Sequence, residues 1–587
     1  MRCGVDTGGT FTDVVTADGR VVKVLSSPDD PGRAVGEGLD GLRPELLAHG
    51  TTVATNALIE RRGATVALVT TTGFADVIEI ARQDRPSLYD IWADRPEPLV
   101  PRRLRLEVDG RLDAAGREIE PLGTAPHVPN EVEAVAICLL HADLDPAHER
   151  AVAIELRASG LDVSTSHEVS PEFREYERTV TTVVNAYLRP RCRAYLRGLS
   201  DLAEEVLVMT SAGGLIPAGE AADLPVTLLL SGPAGGVIAA SAAATAAGFA
   251  GAITFDMGGT STDVCLVQNG VPEPAGGRRA AGFPIRLPSL DIHTIGAGGG
   301  SIARIDPGGA LVVGPESAGA EPGPACYGRG GTRPTVSDAN LVLGRIPAHA
   351  ELPGLGALDA DAARRALAEA GTSAEGVVAV VDAAMERALR AVSVARGVDP
   401  SPLALVAFGG AGPLHACSLA EAMGMAAVVV PPRAGVLSAV GLLCAPRQRS
   451  LVRSWPTPGD PSGVVEAVAE LGDQAAALVG QGAEVTTSVD CRYAGQSHEL
   501  TVAAVEDFDD EHARRNGYSR PGAPVEVVAI RASARTSPAL RPAVDGPQVR
   551  RPARGPCVVA EPDCRPPARW DHLEVSSASS MGPPVRQ

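Results

Sequence analysis

Asp6-Thr-Gly-Gly-Thr-Phe-Thr-Asp13 opens the chain, and Asp256-Met-Gly-Gly-Thr-Ser-Thr-Asp263 repeats it near the middle, with six of eight positions identical. Apolar, strand-like residues flank each copy: Cys3 to Val5 and Val14-Val15 around the first, Ala252 to Phe255 and Val264 to Val267 around the second. Strand, tight Gly-Gly turn and strand make a hairpin whose backbone N–H groups can face an anion. The glycine pair permits close backbone approach and positive φ, the threonine hydroxyls add donors, and the aspartates can hold a hydrated Mg²⁺. One copy is a turn with a polar tip. Two copies predict two facing lobes that clamp one nucleotide.

At 587 residues the chain is too long for one core, so two to four domains are expected. Its 45% hydrophobic and 21% charged content is ordinary for a globular protein, while aromatics at 3% leave the cores to Ala, Val and Leu. A net charge of −19 argues against nucleic acid or an anionic membrane as partner, though not against a phosphate held locally. Lysine decides more. Lys23 is the single lysine, so the other 51 of the 52 basic residues are arginines. Neither a Walker A motif nor the protein-kinase strand lysine can exist, and a Schiff base could form only at Lys23. Phosphate chemistry must then use backbone amides, hydroxyls, arginine and metal. The arginine bias itself reads as the mark of a GC-rich genome, and the exclusion holds either way.

The ten cysteines show no C-x-x-C and no paired spacing, which fits a reducing cytoplasm better than a zinc ribbon or disulfide framework. A strand begins almost at residue 1, leaving no room for a signal peptide. The uncharged run Val237 to Phe255 is rich in Ala and Gly and enters the second hairpin, so it reads as buried helix plus strand rather than a membrane span.

The rest of the first half alternates strand and helix. A polar turn, Gly50 to Asn56, enters a helix that Thr51 or Thr55 can cap. A hairpin is expected around Asp109-Gly110, and a long amphipathic helix over Pro171–Leu188. Ser231-Gly-Pro-Ala-Gly-Gly236 opens an Ala-rich helix, with Ser231 as the cap candidate and Pro233 in the first turn. Dense Gly and Pro over 268–345 predict packed loops, and 359–398 reads as helical. A strand, Leu403–Phe408, ends in Gly409-Gly-Ala-Gly412 before another helix, a turn small enough to cradle adenine or ribose, with plain α/β packing as the rival reading. From about 450 onward a helix over Val464–Val479 and strands near Thr486–Tyr493 and Glu499–Val505 suggest a separate small α+β domain.

The order hairpin, long insertion, Ser-Gly-Pro helix, hairpin, Gly-rich turn, Gly435-to-Leu443 helix matches the actin/Hsp70/sugar-kinase ATPase plan. More specifically, the chain resembles the hydantoinase A/oxoprolinase family of ATP-dependent N-methylhydantoinases, 5-oxoprolinases and nucleotide-binding subunits of acetone-type carboxylases. The residues that carry this are Gly4 to Asp13, His49-Gly-Thr-Thr-Val-Ala-Thr-Asn-Ala57, Arg82-Gln-Asp-Arg-Pro-Ser-Leu-Tyr89 and Pro171-Glu-Phe-Arg-Glu-Tyr-Glu-Arg178. Asp291-Ile-His-Thr-Ile-Gly-Ala-Gly-Gly-Gly-Ser301, Gly323-Pro-Ala-Cys-Tyr-Gly328 and Asp338-Ala-Asn-Leu-Val-Leu-Gly344 complete the set. The match runs from residue 2 to about 447. After Val505 the chain looks shortened, although Gly555 to Pro562 resembles the family's closing strand.

The resemblance implies an α/β fold with a duplicated actin-like ATPase core and a small C-terminal α+β domain. The expected divisions are 1–188, 189–447 and 448–575, with a disordered tail at 576–587. It further implies an ATP-dependent hydrolase of A-subunit type that phosphorylates the carbonyl of a cyclic amide, a hydantoin or 5-oxoproline, for ring opening. Alternatives are the nucleotide-hydrolysing subunit of a ketone carboxylase and an actin-like conformational switch. ATP, Mg²⁺ and room for a further divalent metal are expected, as are a B-type partner subunit and an oligomeric state. Carried over residue by residue, Asp6 and Asp256 hold Mg²⁺ through water and act catalytically. Thr7, Gly8, Gly9, Thr10, Gly258, Gly259 and Thr260 grip phosphates, and Gly409, Gly410 and Gly412 the adenosine. Asp13 and Asp263 serve the site or brace the hairpins. His293 meets substrate or metal, with a structural hydrogen bond as its rival. Asp338 orients substrate or holds a second metal, with a helix cap as its rival. Arg82, Glu175 and Arg178 are candidate substrate contacts against a solvated helix face, and His498 is expected to be structural.

Overall fold

The computed structural model describes residues 1–8, 11–27, 31–275, 277–352, 356–537 and 548–550. Gly555 to Pro562 and the 576–587 tail lie outside them. The protein is α/β with mixed sheets, and both hairpins form where the alternation places them. In the first sheet the hairpin Arg2–Thr7 and Phe11–Thr16 is extended on one side by Val21–Leu25 and on the other by Leu46–Thr51, Glu205–Met209 and Leu215–Pro217. In the second, the hairpin Ala252–Met257 and Thr262–Gln268 is extended by Val271–Pro272 on one side and by Ala404–Phe408, Ala427–Val430 and Gln548–Arg550 on the other. Directions agree as well. In each sheet the hairpin is antiparallel, the next two strands run parallel to its first strand, and the last turns back antiparallel.

Two helices cross between the sheets. Gly232–Ala246 leads from the first sheet to the second, and Leu437–Cys444 returns to lie against Arg2–Thr7. Small residues set their distance: a Cβ on Gly441 would stand 1.8 Å from the Gly235 carbonyl oxygen, and one on Gly4 would stand 2.3 Å from that of Ala439. Cores formed on both sides of each sheet, largely of Val, Ala and Leu, hold the layers together.

A fully parallel sheet, Asp162–Thr165, Ala134–Cys138, Val66–Thr71 and Arg105–Val108, is inserted into the first half. Its strands are almost wholly buried, as parallel strands with covered faces require. The C-terminal region builds an antiparallel sheet, Gln448–Ser454, Val525–Arg535, Glu484–Tyr493 and Leu500–Val502, with its own core around Leu471, Tyr493, Phe508 and Ile530. Among the described residues no helix is long and apolar enough to cross a membrane.

Three expectations are corrected here. The helix expected over Pro171–Leu188 is Glu175–Leu199, because Glu172 is drawn into a buried ion cluster and Arg174, at φ 77, breaks the approach. That helix runs unbroken past residue 188, and the strands at 205–217 complete the first sheet. The hairpin near Asp109 forms two residues later, between Arg111–Leu112 and Glu118–Glu120, since Arg105–Val108 joins the parallel sheet instead. Residues 268–345 carry short strand pairs as well as loops.

Candidate active site

The two hairpins agree residue by residue. Asp6 stands opposite Asp13 and Thr7 opposite Thr12, as Asp256 stands opposite Asp263 and Met257 opposite Thr262. The Gly8 N–H donates to the Phe11 carbonyl at 3.0 Å, and the Gly258 N–H to that of Ser261 at 3.0 Å, so both turns close alike. Gly9 and Thr10 lie outside the described residues.

Each first aspartate has a glycine at its side. Gly50, across the parallel strand from Asp6, would place a Cβ 2.8 Å from an Asp6 carboxylate oxygen. Gly409, at φ +78 just after the strand residue across from Asp256, would place one 2.2 Å from Asp256 Oδ1. Any side chain there would displace the carboxylate. Among the described residues, neither Asp6 nor Asp256 has a hydrogen-bond or ion-pair partner.

Enclosure therefore shifts both carboxyls. Burial first, then the neighbouring Asp13, pushes Asp6 up to about 7 against the pull of Lys23. Burial, Asp263 and then Asp6 push Asp256 up to about 8. The two halves thus bring their aspartates within each other's field. Burial likewise raises Asp263 to about 6 despite the hydroxyl of Thr294 donating to it. Lys23 is committed to an ion pair with Asp13, which removes the single lysine from carbonyl chemistry.

Hydroxyls gather beside the first hairpin. The Thr52 Oγ1 donates to the Thr7 carbonyl at 3.4 Å, and Gly232 would place a Cβ 3.7 Å from Thr52 Cγ2. The side-chain oxygens of Thr7 and Ser231 are buried without a partner among the described residues. Thr55 does not cap its helix; its hydroxyl accepts from the Leu230 N–H at 2.9 Å and pins the entrance of the crossing helix. Thr51 accepts from Val53 at 3.2 Å, while Thr52 takes the N-cap position without a side-chain bond. Ser231 occupies the N-cap position of its helix, also without a capping bond.

The glycine run 296–300 packs on the tip of the second hairpin. Gly299 donates to the Gly258 carbonyl at 3.0 Å and Gly300 to that of Gly259 at 2.6 Å, and a Cβ on Gly298 would meet Gly259 backbone at 2.7 Å. Ala411 donates to the Met257 carbonyl at 2.9 Å, tying the Gly409–Gly412 turn to the same tip. Gly259, Thr260 and Gly410 are exposed, and a Cβ on Gly259 or Gly410 would meet nothing within 4 Å. Backbone amides, a hydroxyl and open space therefore lie together at one end of the second sheet, an arrangement suited to a polyanion.

Other candidates stand apart. His293 pairs with Val264, one residue out of step with Asp263, so it sits on the opposite face of the sheet from Asp256. Asp338 is fully buried. Its carboxylate accepts from the Thr335 N–H and hydroxyl, both at 2.8 Å, from Cys326 N–H at 2.8 Å and from Ala325 N–H at 3.3 Å. It is the third helical residue of a capping box opened by Thr335. Arg178 is buried, bound to Asp143 and to the carbonyls of Leu139 at 2.9 Å and Glu172 at 3.2 Å. Arg82 pairs with Glu177 at 2.9 Å, Glu175 is exposed, and so is His498. Reading the motif as a solvated face missed Glu172, which is wholly buried between Arg286 and Arg531 at 2.7 and 2.8 Å. Its partners are so distant in sequence that no local signal could mark it.

A hydantoinase/oxoprolinase family model matches residues 178–450, and the model of that family's N-terminal region matches 2–160. The chain is 38% identical to an uncharacterised protein of Methanocaldococcus jannaschii, over 85% of this chain and 81% of that one. The chain belongs to the hydantoinase/oxoprolinase family. This family member is also 36% identical to caprolactamase subunit alpha of Pseudomonas jessenii, over 91% of its own length and 86% of the relative's. The crystal structure of the ATP-dependent caprolactamase from that organism superposes with a TM-score of 0.82 at 34% identity, covering 92% and 88% of the two chains. Nucleotide-free acetone carboxylase superposes with a TM-score of 0.69 at 25% identity, over 92% and 88%. The chain spans 41% of the 5-oxoprolinases of Arabidopsis thaliana and Saccharomyces cerevisiae, to which it is 35% and 34% identical.

Proposed function

We propose that this protein is an ATP-dependent cyclic amidase, which activates the carbonyl of a ring amide by phosphorylating its oxygen. The observation that carries it is the matched pair Asp6 and Asp256, each beside an obligatory glycine and each facing the crossing helices. The repeated strand order supports an actin-like duplicated core, with the nucleotide between its halves. Caprolactamase and the 5-oxoprolinases supply the substrate class.

Amide resonance makes a lactam carbonyl a poor electrophile. Attack of its oxygen on the γ-phosphorus breaks the bond to the β-phosphate and releases ADP. Water then adds to the activated carbon, the ring C–N bond breaks as the nitrogen takes up a proton, and a second water hydrolyses the resulting acyl phosphate to carboxylate and phosphate. Such transfer asks the protein for positioning and charge neutralisation. Amides and hydroxyls at Gly8, Gly258, Gly259 and Thr260, with the unpartnered oxygens of Thr7 and Ser231, would hold the phosphates. Gly409, Gly410 and Gly412 would border the adenosine. Asp6 and Asp256 fit a hydrated divalent cation, since two enclosed and unpaired carboxylates lack a counter-charge. Mg²⁺ there would neutralise charge on the phosphates. Steady-state ATP hydrolysis tests the reading, with Mg²⁺ and a panel of caprolactam, 5-oxoproline, hydantoin and N-methylhydantoin. No stimulation by any ring amide, in the presence of a partner subunit, would overturn it. The likeness to acetone carboxylase favours a second reading, ketone phosphorylation, which acetone plus bicarbonate would reveal.

A partner subunit belongs to the proposal. The caprolactamase relative is named as subunit alpha, and the 5-oxoprolinases extend far beyond the matched region. The loop after Arg82 leaves Leu88, Tyr89, Ile91 and Trp92 at 77%, 97%, 82% and 84% exposure, a cluster expected to lie under a second chain. Free buried thiols at Cys3, Cys138 and Cys192 are in keeping with a reducing compartment such as the cytoplasm.

A further inference from the structure

Away from Asp6 and Asp256, a cavity of about 300 Å³ opens between the β-ribbon Arg278–Ala280/Phe283–Ile285, the start of the long helix Glu175–Leu199 and the C-terminal sheet. Charged side chains line it, and their pairing can be followed to the end. Glu172 binds Arg286 and Arg531, Asp490 binds Arg531, and Glu499 binds Arg174 and Arg286. Three carboxylates are thereby matched by three guanidiniums. Glu177 on the rim is matched by Arg82, and Glu511 is shared by Arg514 and Arg515.

Arg278 remains. Its guanidinium donates to the Leu229 carbonyl, and among the described residues no carboxylate lies within ion-pair distance of it. Burial alone pushes it down to about 10, with no anion to oppose the shift. A guanidinium desolvated without a counter-ion is costly, and its planar fork matches a carboxylate in two parallel hydrogen bonds. On the opposite wall the Thr501 hydroxyl already donates to Asp490 at 2.7 Å, while Pro284, Ile285 and Leu500 supply apolar surface. One net positive charge among the lining side chains and an apolar wall in a space for roughly ten heavy atoms describe a site for a small organic carboxylate.

We infer that this cavity binds a small molecule through its carboxylate, with Arg278 as the counter-ion. The inference rests on the cyclic-amide reading for its probes. Such a carboxylate can come from a ring amide that carries one, as 5-oxoproline does, or from the amino acid that ring opening of a lactam releases. Caprolactam has none and serves as the uncharged control.

Calorimetric titration of the full chain with 5-oxoproline, 6-aminohexanoate and caprolactam tests it. Arg278→Gln is expected to weaken binding of the carboxylates ~10–100-fold, the worth of one charge-assisted pair, and to leave caprolactam unaffected. Arg278→Lys should retain most of the affinity. Because Arg278 also braces Leu229, Leu500→Trp provides a second route by narrowing the cavity from the other wall, and it too should lose carboxylate binding in protein that melts cooperatively. A response to 5-oxoproline assigns the site to substrate, and a response to 6-aminohexanoate alone assigns it to product. Absence of carboxylate binding, or equal binding by wild type and both disruptive variants, overturns the inference. ATP binding measured on the same samples keeps a failure of the nucleotide reading distinct from a failure here.

Discussion

Gly441 approaches Gly235 so closely that the two crossing helices touch backbone to backbone, with 1.8 Å between an added Cβ on Gly441 and the Gly235 carbonyl oxygen. Neither side has a flexible atom to move. Gly441→Ala must push apart the helices that set the spacing of Asp6 and Asp256, so overpacking of ~1–3 kcal/mol or more is expected. Gly198, in the helix Glu175–Leu199, would meet nothing within 4 Å, and Gly198→Ala should be neutral or stabilising by up to ~1 kcal/mol. Thermal melts of both variants check this. Equal melting temperatures would mean that the crossing is looser than described.

Asp256→Asn removes a charge that the fold disfavours, since enclosure has already pushed this carboxyl up to about 8. Stability at neutral pH should therefore hold or rise. Hydrolysis of Mg·ATP should fall at least ~10–100-fold, the usual loss for an outer-shell metal partner. Undiminished turnover would move the nucleotide site away from the second hairpin.

Local pattern carried much of this. The duplicated octapeptide foretold two matched hairpins, and the apolar periodicity of Val464–Val479 gave that helix to the residue. The N-terminus of the helix after Pro171 was not legible in the same way. Glu172 and Arg174 obey ion partners at Arg286, Glu499 and Arg531, and a sequence window cannot see charges that distant. Asp338 is a different case. Thr335 three residues earlier is a capping-box spacing, so the structural role was present in the sequence and could have been weighed above a site role.

Asp338→Ala tests that role. It strips the acceptor from buried N–H groups of Thr335 and Cys326, each worth ~1–3 kcal/mol when left unsatisfied, so a large drop in melting temperature is expected. Hydrolysis should fall only in step with the folded fraction. A variant that melts like the wild type yet cannot turn over would return Asp338 to the chemistry.

Trp92 and Tyr89 are 84% and 97% exposed, costly for a surface meant for water alone. The double change Tyr89→Asp and Trp92→Asp should leave the melting temperature of the isolated chain within ~0.5 kcal/mol equivalent, as surface substitutions usually do. Co-purification with a tagged partner subunit should be lost. Unimpaired complex formation by the double variant would place the interface elsewhere.

His49 lies wholly buried, with Nδ1 3.1 Å from the Val5 carbonyl oxygen and Nε2 2.7 Å from the Tyr195 hydroxyl. A carbonyl can only accept, so Nδ1 carries the proton and Nε2 accepts from Tyr195. A second proton on the ring would break that arrangement. Burial, outweighing the bond to Val5, accordingly holds the imidazole down at about 4 from 6.5. Between those values the unfolded chain binds a proton that the folded chain refuses, so stability falls as pH drops through the window and is unaffected above it. The full effect is roughly 3 kcal/mol. Denaturant midpoints between pH 7 and pH 4.5 should fall more steeply for the wild type than for His49→Gln, which cannot titrate. Asp6 and Asp256, raised rather than lowered, tilt both proteins the other way, so only the difference between the two curves isolates His49. Parallel curves would mean that the ring takes up its proton in the folded state.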